Sequence, residues 1–153
     1  MLRPSLFALM AGFALTTGGL WAQVNESIPG VENAQRAWQN WALNCQGCHR
    51  PDGSGSAETT PALLGTTAKF LRVPQGREYL SRVPGVATSA LSDRDLAEEL
   101  NWMLWRFDKD NIPKDFKPYT SDEVKELRSR PLRLEASKMR GELLTQAETL
   151  DKR

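Results

Sequence analysis

Residues 41–55 read WALNCQGCHRPDGSG. This stretch holds both cysteines of the 153-residue chain, Cys45 and Cys48, and its only histidine, His49. Together they spell C-x-x-C-H, the pattern for covalent attachment of haem. In that reading every residue of the motif has a job. The two thiols add across the vinyl groups as thioethers, and the imidazole that follows at once can ligate the iron. Two other uses of paired cysteines compete. A disulfide across three positions closes a tiny loop and would stabilise little. A thiol-redox C-x-x-C expects strand–turn–helix surroundings, whereas this motif follows a helical pattern and precedes a turn-rich loop.

Upstream, Val31, Ala34, Trp38, Trp41 and Cys45 recur at spacings of three and four, which predicts one helix face delivering Cys45 to the side of the tryptophans. Gly47 is placed to end or loosen that helix. Downstream, RPDGSGSAETTPA (50–62) is turn chemistry, too poor in apolar residues to build a core and suited to lying against a large apolar body. Residues 63–90 allow short helical pieces cut by Pro74 and Pro84.

SDRDLAEELNWMLWRF (92–107) is the clearest helix. Ser92 or Asp93 can cap it, and Asp95 puts negative charge in its first turn. Leu96, Leu100, Met103, Leu104 and Phe107 form its apolar face, which Trp102 and Trp105 broaden. DKDNIPKDFKPY reads as a linker. Thr120 and Glu123 then offer a capping box for a short helix ending near Arg130-Pro131. A last helix is expected from about Leu132 to Leu150, with Leu132, Ala136, Met139, Leu143, Ala147 and Leu150 as its apolar stripe and Gly141 as a weak point. No strand alternation or hairpin signal stands out, so the expected class is all-α.

The first 22 residues form a separate unit. Arg3, the apolar run LFALMAGFALTTGGLWA and polar QVNES describe a secretory signal peptide cleaved after Ala22. The alternative is an uncleaved anchor, for which the run is short and its Gly/Thr tail poor helix material. Residues 23–30 read as a lead-in. Without 1–22, nineteen basic residues face nineteen acidic ones. With no dominant sign and no long basic block, nothing points to nucleic acid. Residues 31–107 alone are near the size where a hydrophobic core is marginal. A buried haem would supply the apolar surface that the sequence lacks.

With these residues in view, 31–107 resembles a class I c-type cytochrome, a small secreted monohaem electron carrier. Ala37 and Trp41 match the family's small and aromatic positions in the first helix, and LSDRD resembles the usual start of its last core helix, which brings Trp102 to the crossing. Gly53 and Gly55, then Pro61, Leu63 and Gly65, match the family's loop. The resemblance implies a small cytochrome c fold around one covalent haem c. It also implies that the Pro61 carbonyl accepts a hydrogen bond from His49, orienting the ring. Residues 108–153 fall outside it, as a helical C-terminal extension.

One departure stands out. The family's sixth ligand is usually a methionine followed by proline, and here Val83-Pro84 occupies that place. The distal ligand is therefore open. The iron could be five-coordinate or hold water; Met103 could reach it, although Met103 also completes the apolar face; Met139 or Lys69 could fold over it. Arg72, Arg77 and Arg82 lie nearby in sequence and read as a solvated helix face.

The leading functional expectation is a periplasmic electron carrier and not an enzyme, with no catalytic residue and with redox partner proteins. These would be a donor such as an exported dehydrogenase and an acceptor cytochrome or terminal oxidase, with no membrane attachment after cleavage. A haem protein whose open distal site binds or reacts with a gas or peroxide is the alternative. A weaker third reading is a subunit dedicated to one enzyme, with 108–153 as its clamp.

Overall fold

The computed structural model describes residues 27–152; the leader expected at 1–22 and the first part of the lead-in lie outside the described residues. Seven α-helices follow in order: α1 (Ala34–Asn44), α2 (Gln46–His49), α3 (Gly76–Arg82), α4 (Pro84–Ala87), α5 (Asp93–Asp108), α6 (Ser121–Arg128) and α7 (Ala136–Asp151). Two 3-10 turns, Thr67–Arg72 and Lys109–Asn111, complete the regular structure of the described residues. Among the described residues the only β-type pairing is an isolated bridge between Ser56 and Thr60.

α1 begins later than the periodicity suggests, because the Asn33 side chain accepts the Arg36 N–H at 2.9 Å and so caps the helix there. Its inner face is Ala37, Trp41 and Cys45, which are one turn apart. Trp38, expected on that face, is 49% exposed. Ala37 is the residue that lets α1 and α5 approach closely, and Trp38 lies a further 100° round the helix from it. α5 is the central element. Ser92 caps it by accepting the Asp95 N–H at 3.1 Å. From Leu96 to Leu104 every residue is buried, since α1, α6 and the first 3-10 turn all pack on it.

The segment from 108 onward packs into the same hydrophobic cluster as α1 and α5, through Tyr119, Val124, Leu132, Leu143 and Ala147. Side-chain clasps fix its course. The amide of Asn101, 1% exposed, is fully engaged: it donates to the carbonyls of Gly30 and Tyr119 and accepts the Tyr119 N–H. The arginines read from sequence as a solvated face turn out to be staples. Arg77 binds both Glu123 oxygens and the carbonyls of Lys117 and Pro118, and lies 4.0 Å from the Tyr119 ring centroid. Arg82 donates to the Arg130 carbonyl, and Arg72 pairs with Asp151. In return Arg128 donates to the carbonyls of Ala87, Ser89 and Leu91 and to Asp93.

Two expectations on the extension shift. Thr120 caps α6 by accepting the Glu123 N–H, but the Glu123 carboxylate goes to Arg77 instead of closing the box. α7 starts at Ala136 and not Leu132. Pro131 interrupts the chain, and Leu132, outside any helix, is buried with its N–H on the Arg82 carbonyl at 2.8 Å. Of the predicted stripe, Leu143 and Ala147 are buried, whereas Leu150 is 41% exposed near the end of α7.

Candidate functional site

The last turn of α1 hands the chain directly to the motif. The Cys45 N–H bonds the Trp41 carbonyl at 2.9 Å, and the helix breaks at Cys45 itself (φ −120°). α2 then makes one turn, with the His49 N–H on the Cys45 carbonyl at 3.1 Å. Residues four apart share a helix face, so Cys45 and His49 turn inward, both half-buried, while Cys48 is exposed. Gly47 lies inside α2, with open space where a side chain would stand, so it does not end the helix. The turn stops at Arg50, in the left-handed region at φ +63°.

The loop after the motif folds back over the site. The Gly55 N–H bonds the His49 carbonyl at 2.9 Å and the Leu63 N–H bonds the Gly53 carbonyl at 2.8 Å. Gly53 and Gly55 are both buried, at φ +75° and +64°. A Cβ on Gly53 would lie 2.7 Å from the Phe107 ring; one on Gly55 would collide with the Thr60 carbonyl and lie 2.8 Å from that of Pro61. The loop thus passes against Phe107 and behind Pro61, where only glycine has room. This path brings the Pro61 carbonyl to 3.1 Å from His49 Nδ1. A carbonyl only accepts, so the contact selects the Nδ1–H tautomer and leaves the Nε2 lone pair available to a metal.

An aromatic wall stands beside the motif. The Trp41 ring lies 4.6 Å from Phe107, 6.2 Å from Trp102 and 6.1 Å from the His49 imidazole, centroid to centroid. The electrostatics favour neutral groups. Burial pushes the Cys45 thiol up to about 12, with the nearby acid Glu99 and Cys48 adding to the effect. Burial lowers the His49 imidazole against the opposing pull of its Pro61 hydrogen bond. A thiol-redox centre needs a thiolate favoured by its surroundings, and the Cys45 environment does the reverse. Cys45 and Cys48 are not joined in a disulfide. Among the described residues no cluster of three or more His, Cys, Asp or Glu side chains could hold a bare metal ion. Two unpaired thiols on one helical turn, a neutral imidazole with its lone pair available and an adjoining apolar wall suit a porphyrin-held iron.

The distal candidates are dispersed. Met103 is buried in the hydrophobic cluster on α5, Met139 is half-buried on α7, and Lys69 faces Asp151 at 3.8 Å. Val83 packs against the core between α3 and α4. One residue escaped sequence reasoning altogether. Glu99 is 3% exposed, and neither of its carboxylate oxygens has a hydrogen-bond partner. Its signal was an acid inside the apolar arc of α5, three residues after Leu96 and three before Trp102.

No family model matches the chain. Among curated proteins it is similar to a cytochrome c-552 of Thermus thermophilus, 34% identical over 123 residues that cover 69% of this chain and 83% of that protein. A second cytochrome c-552 of Thermus thermophilus is 34% identical over 106 residues, 58% of this chain and 81% of the relative. An all-helical chain with C-x-x-C-H at the end of its first helix defines a haem-binding electron-transfer class. The chain belongs to the class I c-type cytochromes, and its all-α structure is the cytochrome c fold. Among the described residues no helix is long and apolar enough to cross a membrane.

Proposed function

We propose that the protein is an exported monohaem cytochrome carrying single electrons between redox partner proteins in the periplasm. Cys45 and Cys48 hold one haem c through thioethers, His49 ligates its iron, and Pro61 orients His49. The contact of His49 Nδ1 with the Pro61 carbonyl at 3.1 Å carries this reading. It fixes the tautomer and restrains the ring, and the bond raises the strength of the imidazole as a ligand. The haem supplies an iron that cycles between ferric and ferrous states. The chain's part would be to attach it, to exclude water beside the motif with Trp41, Trp102 and Phe107, and to hold His49 still as charge changes.

Residues 108–152 act as part of the haem-domain fold. This is supported by buried Val124, Leu143 and Ala147 in the common cluster and by the Arg77, Arg82 and Arg128 clasps. Arg128 in particular grips the segment 87–93, which follows the Val83-Pro84 pair. That observation favours a second reading, in which the distal side is shaped by the extension and the iron accepts a small ligand such as a gas or peroxide. On the electron-carrier reading, donor and acceptor are proteins such as an exported dehydrogenase and a terminal oxidase or cytochrome.

Two measurements test this. Mass spectrometry of the denatured exported protein should show one haem added to the chain from which residues 1–22 have been removed. The addition should be lost in the Cys45→Ala/Cys48→Ala double variant; covalent haem persisting in that variant would sink the reading. Optical spectra of oxidised and reduced protein, with and without carbon monoxide, separate the two functions. A low-spin iron indifferent to carbon monoxide supports the electron carrier, and a high-spin iron that binds it supports the small-ligand reading.

A further inference from the structure

Glu99 has no part in the reading above, yet it is the most unusual ionisable group in the fold. It sits on the inward side of α5, 3% exposed, with both carboxylate oxygens unpartnered. The groups whose charge reaches it are acidic. Glu98 precedes it on α5 and disfavours its ionisation. Glu99 stands one turn before Trp102 of the aromatic wall and close enough to Cys45 for its charge to push that thiol up. Cations on the surrounding elements are engaged elsewhere. On α1, Arg36 binds Glu98 and lies 3.6 Å from Asp95. Arg128 of α6 binds Asp93, Lys69 and Arg72 of the first 3-10 turn face Asp151, and Lys109 lies over the Trp105 ring.

An ionised carboxylate in this position is desolvated and repelled by Glu98, so the neutral acid is favoured. We propose that Glu99 binds a proton when the haem attached at Cys45 is reduced and releases it on oxidation, which makes this cytochrome's electron transfer proton-linked. The inference rests on the haem reading above. The balance is simple: ferric haem, Glu99 carboxylate, one electron and one proton give ferrous haem and Glu99 carboxylic acid. The electron comes from the one-electron donor protein and the proton from solvent. Added negative charge at the haem disfavours the neighbouring carboxylate. By reciprocity the bound proton favours the reduced haem equally. Burial foremost, then Glu98, pushes Glu99 up to about 8, so the exchange falls near neutral pH, where an ordinary carboxyl would stay ionised throughout.

The test uses the full haem-loaded protein and two readouts. In the first, the midpoint potential of wild type falls as pH rises through neutrality, approaching one proton per electron, and Glu99→Gln removes that slope. In the second, the reduced-minus-oxidised infrared spectrum of wild type shows a carboxylic-acid C=O band that moves on carbon-13 labelling of glutamate. The second readout needs no variant, so it decides the matter even where Glu99→Gln fails to fold. A slope unchanged in Glu99→Gln, or no glutamate band changing with redox state, overturns the proposal. The mass of the covalently loaded chain tells the two failures apart. A chain without attached haem removes the premise, whereas a loaded chain with a pH-independent potential removes the proton link alone.

Discussion

Replacing Gly55 with alanine tests the path by which the loop reaches His49. Gly55 is at φ +64°, where an L side chain costs about 1–2 kcal/mol. The new Cβ also collides with the Thr60 carbonyl and stands 2.8 Å from the Pro61 carbonyl. Relief means moving Thr60 and Pro61, which strains the paired bonds of the small bridge: Ser56 N–H to the Thr60 carbonyl at 2.8 Å and Thr60 N–H to the Ser56 carbonyl at 3.2 Å. Weakening them adds roughly 0.5–1.5 kcal/mol each. The expected loss is about 3 kcal/mol in urea denaturation of the haem-loaded protein. Gly65→Ala is the internal control. Gly65 has nearly the same φ, +61°, but nothing within 4 Å of a Cβ, so it should lose only about 1–2 kcal/mol. Displacing Pro61 also weakens its bond to His49. A less basic imidazole stabilises ferric iron less, so the midpoint potential should rise in Gly55→Ala and hold in Gly65→Ala. Equal losses in the two variants with an unmoved potential would refute the argument that Gly55 makes room for Pro61.

Leu143→Ala should cost about 2–5 kcal/mol in the same assay, because Leu143 is 2% exposed in the common core. Leu134→Ala, at a residue 98% exposed, should change stability by less than about 0.5 kcal/mol. Similar small effects at both sites would mean that α7 is not part of the folded core. Gly141→Ala should stabilise by roughly 0.5–1 kcal/mol, read as a higher Tm. Gly141 lies inside α7 with nothing near a Cβ; a lower Tm would contradict the open space there.

Much of the fold was legible from local signals. Ser92 and Thr120 cap the helices they were expected to cap, and the apolar spacing of α5 names its buried residues. These are short-range matters, since a side chain three residues from a free N–H either satisfies it or does not. Faces were less secure. The expected stripe of Val31, Ala34, Trp38, Trp41 and Cys45 shares Trp41 and Cys45 with the observed face, but Ala34 and Trp38 turn outward and Ala37 takes the inner place. Periodicity gives the width of an apolar arc, but the partner helix decides where the contact falls. The arginines failed as a class for a related reason. Arg77 and Glu123 are 46 positions apart, and nothing local to either announces the pair.

The sequence by itself determined the helical class and the chemistry available to the site. Two thiols and an imidazole in five positions need only one turn of backbone to converge, so C-x-x-C-H can be read without a fold. Tertiary structure alone decided the rest. It brought the Pro61 carbonyl onto His49 by a loop that only glycine can follow past Phe107 and Pro61. It drew residues 108–152 into the core through paired side chains distant in sequence. It also turned Glu99 from one acid among nineteen into a buried carboxyl with no partner. Burial is a property of the assembled chain, and the cost of charge follows burial.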